Sequence, residues 1–244
     1  MQMGAVGYLP GAVINVSTIS DGDYAAITEN GSYTLTGLTT NDVYIDVANG
    51  VTAEFTLDDV SINNPASNSQ SAIKLNGNAK ATLIVADGTT NELICEGSMT
   101  SGDRVHAGIY VSPSATLRIL GGTLNTGVLY VRGGAWCAAI GGSLKKGSNL
   151  SPDNGTIIIE GGTIRASKER RYGSVIGGAL EGSGGVIEIK GNAKIFVSAT
   201  LSLSDNSYRV NGIGAGTAGG SLTGSGGVTA NGGYGGQITI GGNA

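Results

Sequence analysis

Apolar side chains in this chain fall in short alternating runs, each ended by glycine, as in Ile157-Ile158-Ile159-Glu160-Gly161-Gly162 and Ile187-Glu188-Ile189-Lys190-Gly191-Asn192. A period of two places successive side chains on opposite faces of a strand, and glycine supplies the positive φ that a tight corner needs. The same strand-and-corner unit occurs as Ile73-Lys74-Leu75-Asn76-Gly77, as Leu117-Arg118-Ile119-Leu120-Gly121 and as Ile238-Thr239-Ile240-Gly241-Gly242. A second unit, isoleucine followed by glycine, alternates with the first at Ile140-Gly141, Ile176-Gly177 and Ile213-Gly214. From Ile73 to Ile109 the step is 36 residues, and from there to Ile140, Ile176 and Ile213 it is 31, 36 and 37.

Strands of three to five residues cannot bury an apolar face alone, so units recurring every thirty-odd residues must stack on one another. The expected fold is all-β: a right-handed parallel β-helix, a solenoid of about seven coils. Ile140, Ile176 and Ile213 form one internal ladder in it, and Ile159, Ile189 and Ile240 another, at the roughly 4.8 Å spacing of paired strands. Antiparallel hairpins are the alternative, because alternation does not report strand direction. Residues 1–20 are expected to form an N-terminal cap or linker, and 21–244 the β-helix itself. The last unit stops within a repeat, which points to a solenoid that continues in a longer protein, or whose end packs on a neighbouring domain or a second copy.

Composition narrows the class. Forty-four glycines without a three-residue period exclude collagen, and 40% hydrophobic residues in β-branched runs give enough apolar surface for a core. No apolar run is long enough for a membrane span. The first ten residues lack the basic and apolar regions of a secretory signal, which has been removed or was never there. Cys95 and Cys137 fall at different phases of the repeat and read as buried free thiols, with a disulfide as the alternative.

The segment Gly31-Ser32-Tyr33-Thr34-Leu35-Thr36-Gly37, followed by Thr56-Leu57-Asp58-Asp59-Val60-Ser61-Ile62 and Val85-Ala86-Asp87-Gly88-Thr89-Thr90-Asn91-Glu92-Leu93, resembles the opening of bacterial carbohydrate-binding β-helix proteins. The later Ile-Gly-Gly and Gly-Gly-Thr coils resemble the glycine-rich arrays of gut bacterial surface proteins that share this opening. The resemblance covers roughly residues 30 to 242. It implies a pectate-lyase-like solenoid, an extracellular or cell-surface location, a polysaccharide partner and, in some members, structural Ca2+.

Catalysis finds little support. Glycoside hydrolysis uses a carboxylate pair at a fixed separation. Asp58 and Asp59 are adjacent on a strand, so their side chains point to opposite faces. His106 is the only histidine, which nearly excludes a histidine-centred metal site and reads as a corner residue beside the Ile109 strand. A lyase with an arginine base stays open, since Arg104, Arg132 and Arg165 all lie in coils.

Charge divides the rod. Residues 1–100 carry eleven acids and two bases, and residues 101–244 carry seven acids and twelve bases. Asp42, Asp46, Asp58, Asp59 and Asp87 at the acidic end suit a hard cation such as calcium or, more plainly, solvated turns. The basic end holds Lys168-Glu169-Arg170-Arg171 with Lys145, Lys146, Arg132 and Arg209. Nucleic acid is disfavoured in an acidic chain with only 5% aromatics.

Four or five residues before the isoleucines of the second unit stand Trp136, Tyr172 and Tyr208, with Arg132, Arg171 and Arg209 nearby. Stacked coils would set them in a stripe. Aromatic faces suit sugar rings and guanidinium forks suit uronate carboxylates, while the competing reading is a local core of rings packed on one another. The leading expectation is a non-catalytic carbohydrate-binding module of a cell-surface or secreted protein, for acidic or plant-type polysaccharide. The alternatives are a structural or adhesive fibre or display element of a bacterial surface or phage, and a polysaccharide lyase or hydrolase.

Overall fold

The computed structural model describes residues 4–64, 70–95, 106–144, 151–169, 172–200, 210–216 and 237–241. The strands are β1 (Ala5–Gly7) and β2 (Val13–Asn15) in the first coil, β3 (Tyr24–Ile27) and β4 (Gly31–Thr39) in the second, and β5 (Tyr44–Val47) and β6 (Thr52–Asn64) in the third. The fourth coil holds β7 (Ile73–Leu75), β8 (Lys80–Val85) and β9 (Thr90–Cys95); the fifth, β10 (Ile109–Val111), β11 (Thr116–Gly121) and β12 (Val128–Gly133). The sixth holds β13 (Ile140–Gly141), β14 (Thr156–Ile159) and β15 (Thr163–Glu169), and the seventh β16 (Ser174–Gly177), β17 (Val186–Ile189) and β18 (Lys194–Thr200). The eighth holds β19 (Asn211–Gly214) and β20 (Gln237–Ile240).

Each coil places one strand in an eight-stranded sheet, here face A, in the order β1-β3-β5-β7-β10-β13-β16-β19. The remaining twelve strands form one sheet that folds along a corner. β6 shows where, since Thr52–Leu57 pairs with β8 and Ser61–Asn64 with β9. The first half of β6 with β8, β11, β14, β17 and β20 makes face B, and its second half with β9, β12, β15 and β18 makes face C. Every pairing is parallel, so the chain is a parallel β-helix. Its described coils number eight because β1 and β2, which carry neither repeat unit, pair with β3 and β4 and add a coil.

The core is a set of aliphatic ladders. On face A, Ile45, Ile73, Ile109, Ile140, Ile176 and Ile213 stand in register. On face B, Phe55, Leu83, Ile119, Ile159 and Ile189 do the same, and Ile240, expected as a further internal rung, keeps the register but is 66% exposed. Ile45 to Ile176 are wholly buried, and burying one such side chain stabilises by about 1.5–3 kcal/mol. Four copies of the first repeat unit lie on face B, but Ile73-Lys74-Leu75 lies on face A. Both edges of a face need a strand that ends in a turn, so the same local pattern serves both.

The corner between faces B and C is tight in every coil and carries a positive φ at Gly37, Asp59, Gly88, Asn125, Gly162 and Gly191. From the fifth to the seventh coil the outer side of face A is clad by the chain itself. Ala179 donates its backbone N–H to Pro152 O and Gly142 to Gly177 O, both at 2.8 Å. Gly141, Gly177 and Gly214 stack at φ +135°, +127° and +124°, and a Cβ on Gly177 would fall 1.9 Å from Gly214 O. The Ile-Gly repeat therefore joins an inward isoleucine to an outward residue with no side chain. Faces B and C keep their outer sides exposed to a ligand.

Candidate functional site

Of the six residues expected to form an aromatic and basic stripe, the structure brings Trp136 and Tyr172 together. Their rings meet edge to face at 6.1 Å between centroids and 86° between planes. Trp136 packs against a small core of Ala107, Tyr110 and Cys137, separate from the main one. Both rings are half-buried. Arg132 stands instead on the outer side of face C, in register with Ile94 and Ser167. Tyr208, Arg171 and Arg209 lie outside the described residues, as do Lys145, Lys146 and Arg170.

Beneath that aromatic pair lies a charge that reads in sequence as part of a solvated basic run. Lys168 follows Ile164 and Ala166 on the inward side of β15 and is 1% exposed. Its register partner Gly133 has no side chain, which leaves room for it. Its ammonium donates to Cys137 O at 2.9 Å and to Tyr172 O. Burial pushes its pKa down to about 8. Burial also pushes the Cys137 thiol up to about 12, so that sulfur is a protonated, unreactive core atom.

The aspartates of the acidic end serve as turn residues. Asp59 accepts Thr90 N–H at 2.9 Å from its positive-φ corner. Asp87 accepts the backbone N–H groups of Leu124 and Thr126, which hold its carboxyl below the usual range. Asp46 faces Lys74 at 3.5 Å. No cluster of three or more His, Cys, Asp or Glu side chains suited to a metal occurs among the described residues. His106 is buried at the corner ahead of β10, and its carbonyl accepts Gly134 N–H.

Face C carries the most developed surface. Ser61, Glu92, Tyr130, Arg165 and Phe196 occupy one outward column, each in register with the next coil. Tyr130 is 40% exposed between the buried Leu129 and Val131, and Phe196 is 51% exposed on β18, where its neighbour Val197 is itself 40% exposed. The Arg165 guanidinium lies over both rings, its carbon 4.6 Å from the Phe196 centroid and 5.9 Å from that of Tyr130. Glu92 accepts the Ser61 hydroxyl at 3.0 Å. Among the described residues no carboxylate pairs with Arg165.

Tyr130 and Phe196 were not singled out from the sequence, although the signal was there. Each sits between two aliphatic residues of a strand, in Leu129-Tyr130-Val131 and Ile195-Phe196-Val197, and they follow the same thirty-odd-residue step through Arg165. Anchoring the search on the isoleucines of face A leads to the residues before β13 and β16 instead.

A family model described as carbohydrate-binding domain-containing protein matches residues 21–143, half of the chain. The chain belongs to this family. The matched part runs from β3 to β13 and includes Glu92, Tyr130 and Arg132. Arg165 and Phe196 lie in the two coils that follow. No curated protein and no solved structure matches the sequence. Among the described residues, no helix is long and apolar enough to cross a membrane.

Proposed function

We propose that this protein is a non-catalytic binding module that holds a polysaccharide against the outer side of face C. Family membership supports carbohydrate binding, and the observation that carries the choice of face is the exposed Tyr130–Arg165–Phe196 column. Rings and guanidinium offer apolar contact and directional hydrogen bonds on a flat, parallel sheet that nothing else in the described chain covers. Trp136 and Tyr172 are turned onto each other, and Trp136 also onto the small core at the edge of face A, which makes them supports rather than the principal platform.

The finer reading is an acidic or plant-type polysaccharide met outside the cell, by a secreted or surface-attached protein, with a neighbouring domain or further copies on the same rod. The excess of basic residues after residue 100 supports the acidic ligand, since face C of the fifth to seventh coils is built from that half of the chain. Retention on insoluble polysaccharides with no release of reducing or unsaturated sugar is the expected result. Tyr130→Ala and Phe196→Ala should each lower retention about tenfold, the usual scale for an aromatic anchor. Unchanged retention in the double variant would move the site elsewhere, and product release would make the protein an enzyme.

A further inference from the structure

The outward residues of face C form a regular array whose columns are fixed by the parallel register. The central column is Ser61, Glu92, Tyr130, Arg165 and Phe196, from the third coil to the seventh. The column nearer face B runs through Thr90, Val128, Thr163 and Lys194. Asp59 stands at its head in the third coil, where its carboxylate accepts the Thr90 N–H. The last column is Asn63, Ile94, Arg132, Ser167 and Ser198.

Charge in the first two columns changes sign about the fifth coil. Glu92 lies one coil before Tyr130, and Arg165 one coil after it. Asp59 lies two coils before Val128, and Lys194 two coils after it. Asp59, Arg165 and Lys194 are exposed, and Glu92 uses only Oε2 to accept the Ser61 hydroxyl. Neither cation has an ion-pair partner among the described residues. Opposite charges at equal distances on either side of one row describe a surface that complements itself after a half-turn about that row.

The axis of that half-turn lies in the plane of the sheet, along β12. It sets the sixth coil against the fourth coil of a second copy and the seventh against the third, with the two rods antiparallel. Arg165 then meets Glu92 of the second copy, Lys194 meets Asp59, and each pair forms twice. Tyr130 meets its own counterpart at the axis, and Phe196 lies over Ser61. A half-turn about the rod axis would instead set Arg165 on Arg165 and Glu92 on Glu92, so charge selects the antiparallel arrangement. Arg132 is the cation that approaches its own counterpart, at the far end of the axis, and it is already engaged within its own chain.

Tyr130 and Phe196, 40% and 51% exposed in one copy, give this interface an aromatic centre with charges around it. Five coils at about 4.8 Å and five residues at about 3.3 Å make a plane of roughly 24 by 17 Å. That is about 400 Å² per copy, half of a standard interface, and it belongs to weak, salt-sensitive association.

We propose that face C is the interface of an antiparallel dimer of this protein, held by Glu92–Arg165 and Asp59–Lys194 pairs about an axis through Tyr130. The dimer goes beyond the carbohydrate-binding reading and does not depend on it. Where face C also holds a polysaccharide, the two occupants exclude each other, and the dimer is a closed state of the platform that dilution or ligand opens.

Sedimentation of the full chain from about 1 μM to 1 mM tests this. The average mass should rise from monomer towards dimer, and high salt should reverse the rise. Glu92→Arg and Arg165→Glu each create two like-charge contacts, and each should weaken self-association about tenfold or more. Mixed in equal amounts, the two variants should associate with each other as tightly as the native chain does, because every contact again joins opposite charges. That rescue also shows that both variants are folded. A native chain that stays monomeric throughout overturns the dimer, even if the chain is retained on polysaccharide, which then leaves face C to the glycan alone. Self-association undiminished in both variants, or a mixture that associates no more tightly than its components, removes the interface from face C and overturns the proposal.

Discussion

Lys168 donates its ammonium to the carbonyl oxygen of Cys137 at 2.9 Å, across the inside of the corner that joins face C to face A. A second bond to Tyr172 O ties the next coil to the same nitrogen. The charge is nearly out of contact with water, and its folded pKa of about 8 lies below the ordinary 10.5. Between those two values the unfolded chain holds a proton that the folded chain has lost, so this group makes folding more favourable as pH rises through the window. Below pH 8 both states are charged and the burial penalty applies in full. The stability of the native chain minus that of Lys168→Met should therefore grow between pH 8 and 10.5, by up to about 3 kcal/mol. Urea unfolding of both at several pH values measures it, and a flat difference would mean that the ammonium is better solvated than its burial indicates.

Ile109 touches Ile73 on one side and Ile140 on the other in the face A ladder. Ile109→Ala should leave a void that neighbouring backbones, fixed by parallel hydrogen bonds, cannot close, at a cost of about 2–5 kcal/mol in chemical unfolding.

Gly177→Ala should destabilise strongly, because its φ of +127° is unfavourable for alanine and the new methyl would meet Gly214 O at 1.9 Å. Strain alone costs about 1–3 kcal/mol. Gly7→Ala is the control: nothing lies within 4 Å of a Cβ placed there. It should change the unfolding midpoint little, and equal losses in the two variants would contradict the packing of face A.

Neutralising the carboxylate at the fourth coil should help a polyuronate. Glu92→Gln keeps an acceptor for the Ser61 hydroxyl and removes the negative charge in register with Tyr130. Affinity for polygalacturonate should rise about two- to fivefold at low salt and converge with the native value at high salt, as Coulomb attraction to an exposed face is screened.

Cys95 and Cys137 should resist thiol reagents in the native state. Both are buried and outside any disulfide, and burial pushes the Cys137 thiol up to about 12. Mass spectrometry after brief alkylation at pH 8 should find both unmodified without denaturant and both modified in urea. Native labelling of Cys137 would mean that its corner opens.

The ladders were legible because isoleucine and glycine mark the same phase of each coil, and a period of thirty-odd residues survives differences in coil length. Direction followed from stacking, since strands so short gain a core only from the neighbouring coil. Lys168 was not legible. A lysine beside Glu169, Arg170 and Arg171 looks solvated, and what receives its protons are backbone carbonyls brought in from other coils, which no side-chain pattern reports. Trp136 and Tyr172 meet ring to ring, but whether two rings face a ligand or each other depends on the path of the backbone around the corner. Residues 1–20, expected as a cap or linker, hold neither repeat unit and yet include β1 and β2.

Differences in coil length are largest at the two edges of face A, with a smaller spread at the corner between faces B and C, where six residues separate β11 from β12. Face B passes into face C within a single continuous strand in β6, and through only four residues between β8 and β9 or three between β14 and β15. By contrast, thirteen residues separate β9 from β10, and twenty-two separate β19 from β20. Insertions and deletions at those edges leave the strands of faces B and C paired in register. A family built this way can diversify its decoration freely while its measuring surface changes only by whole coils. The length of such a surface is then counted in integers.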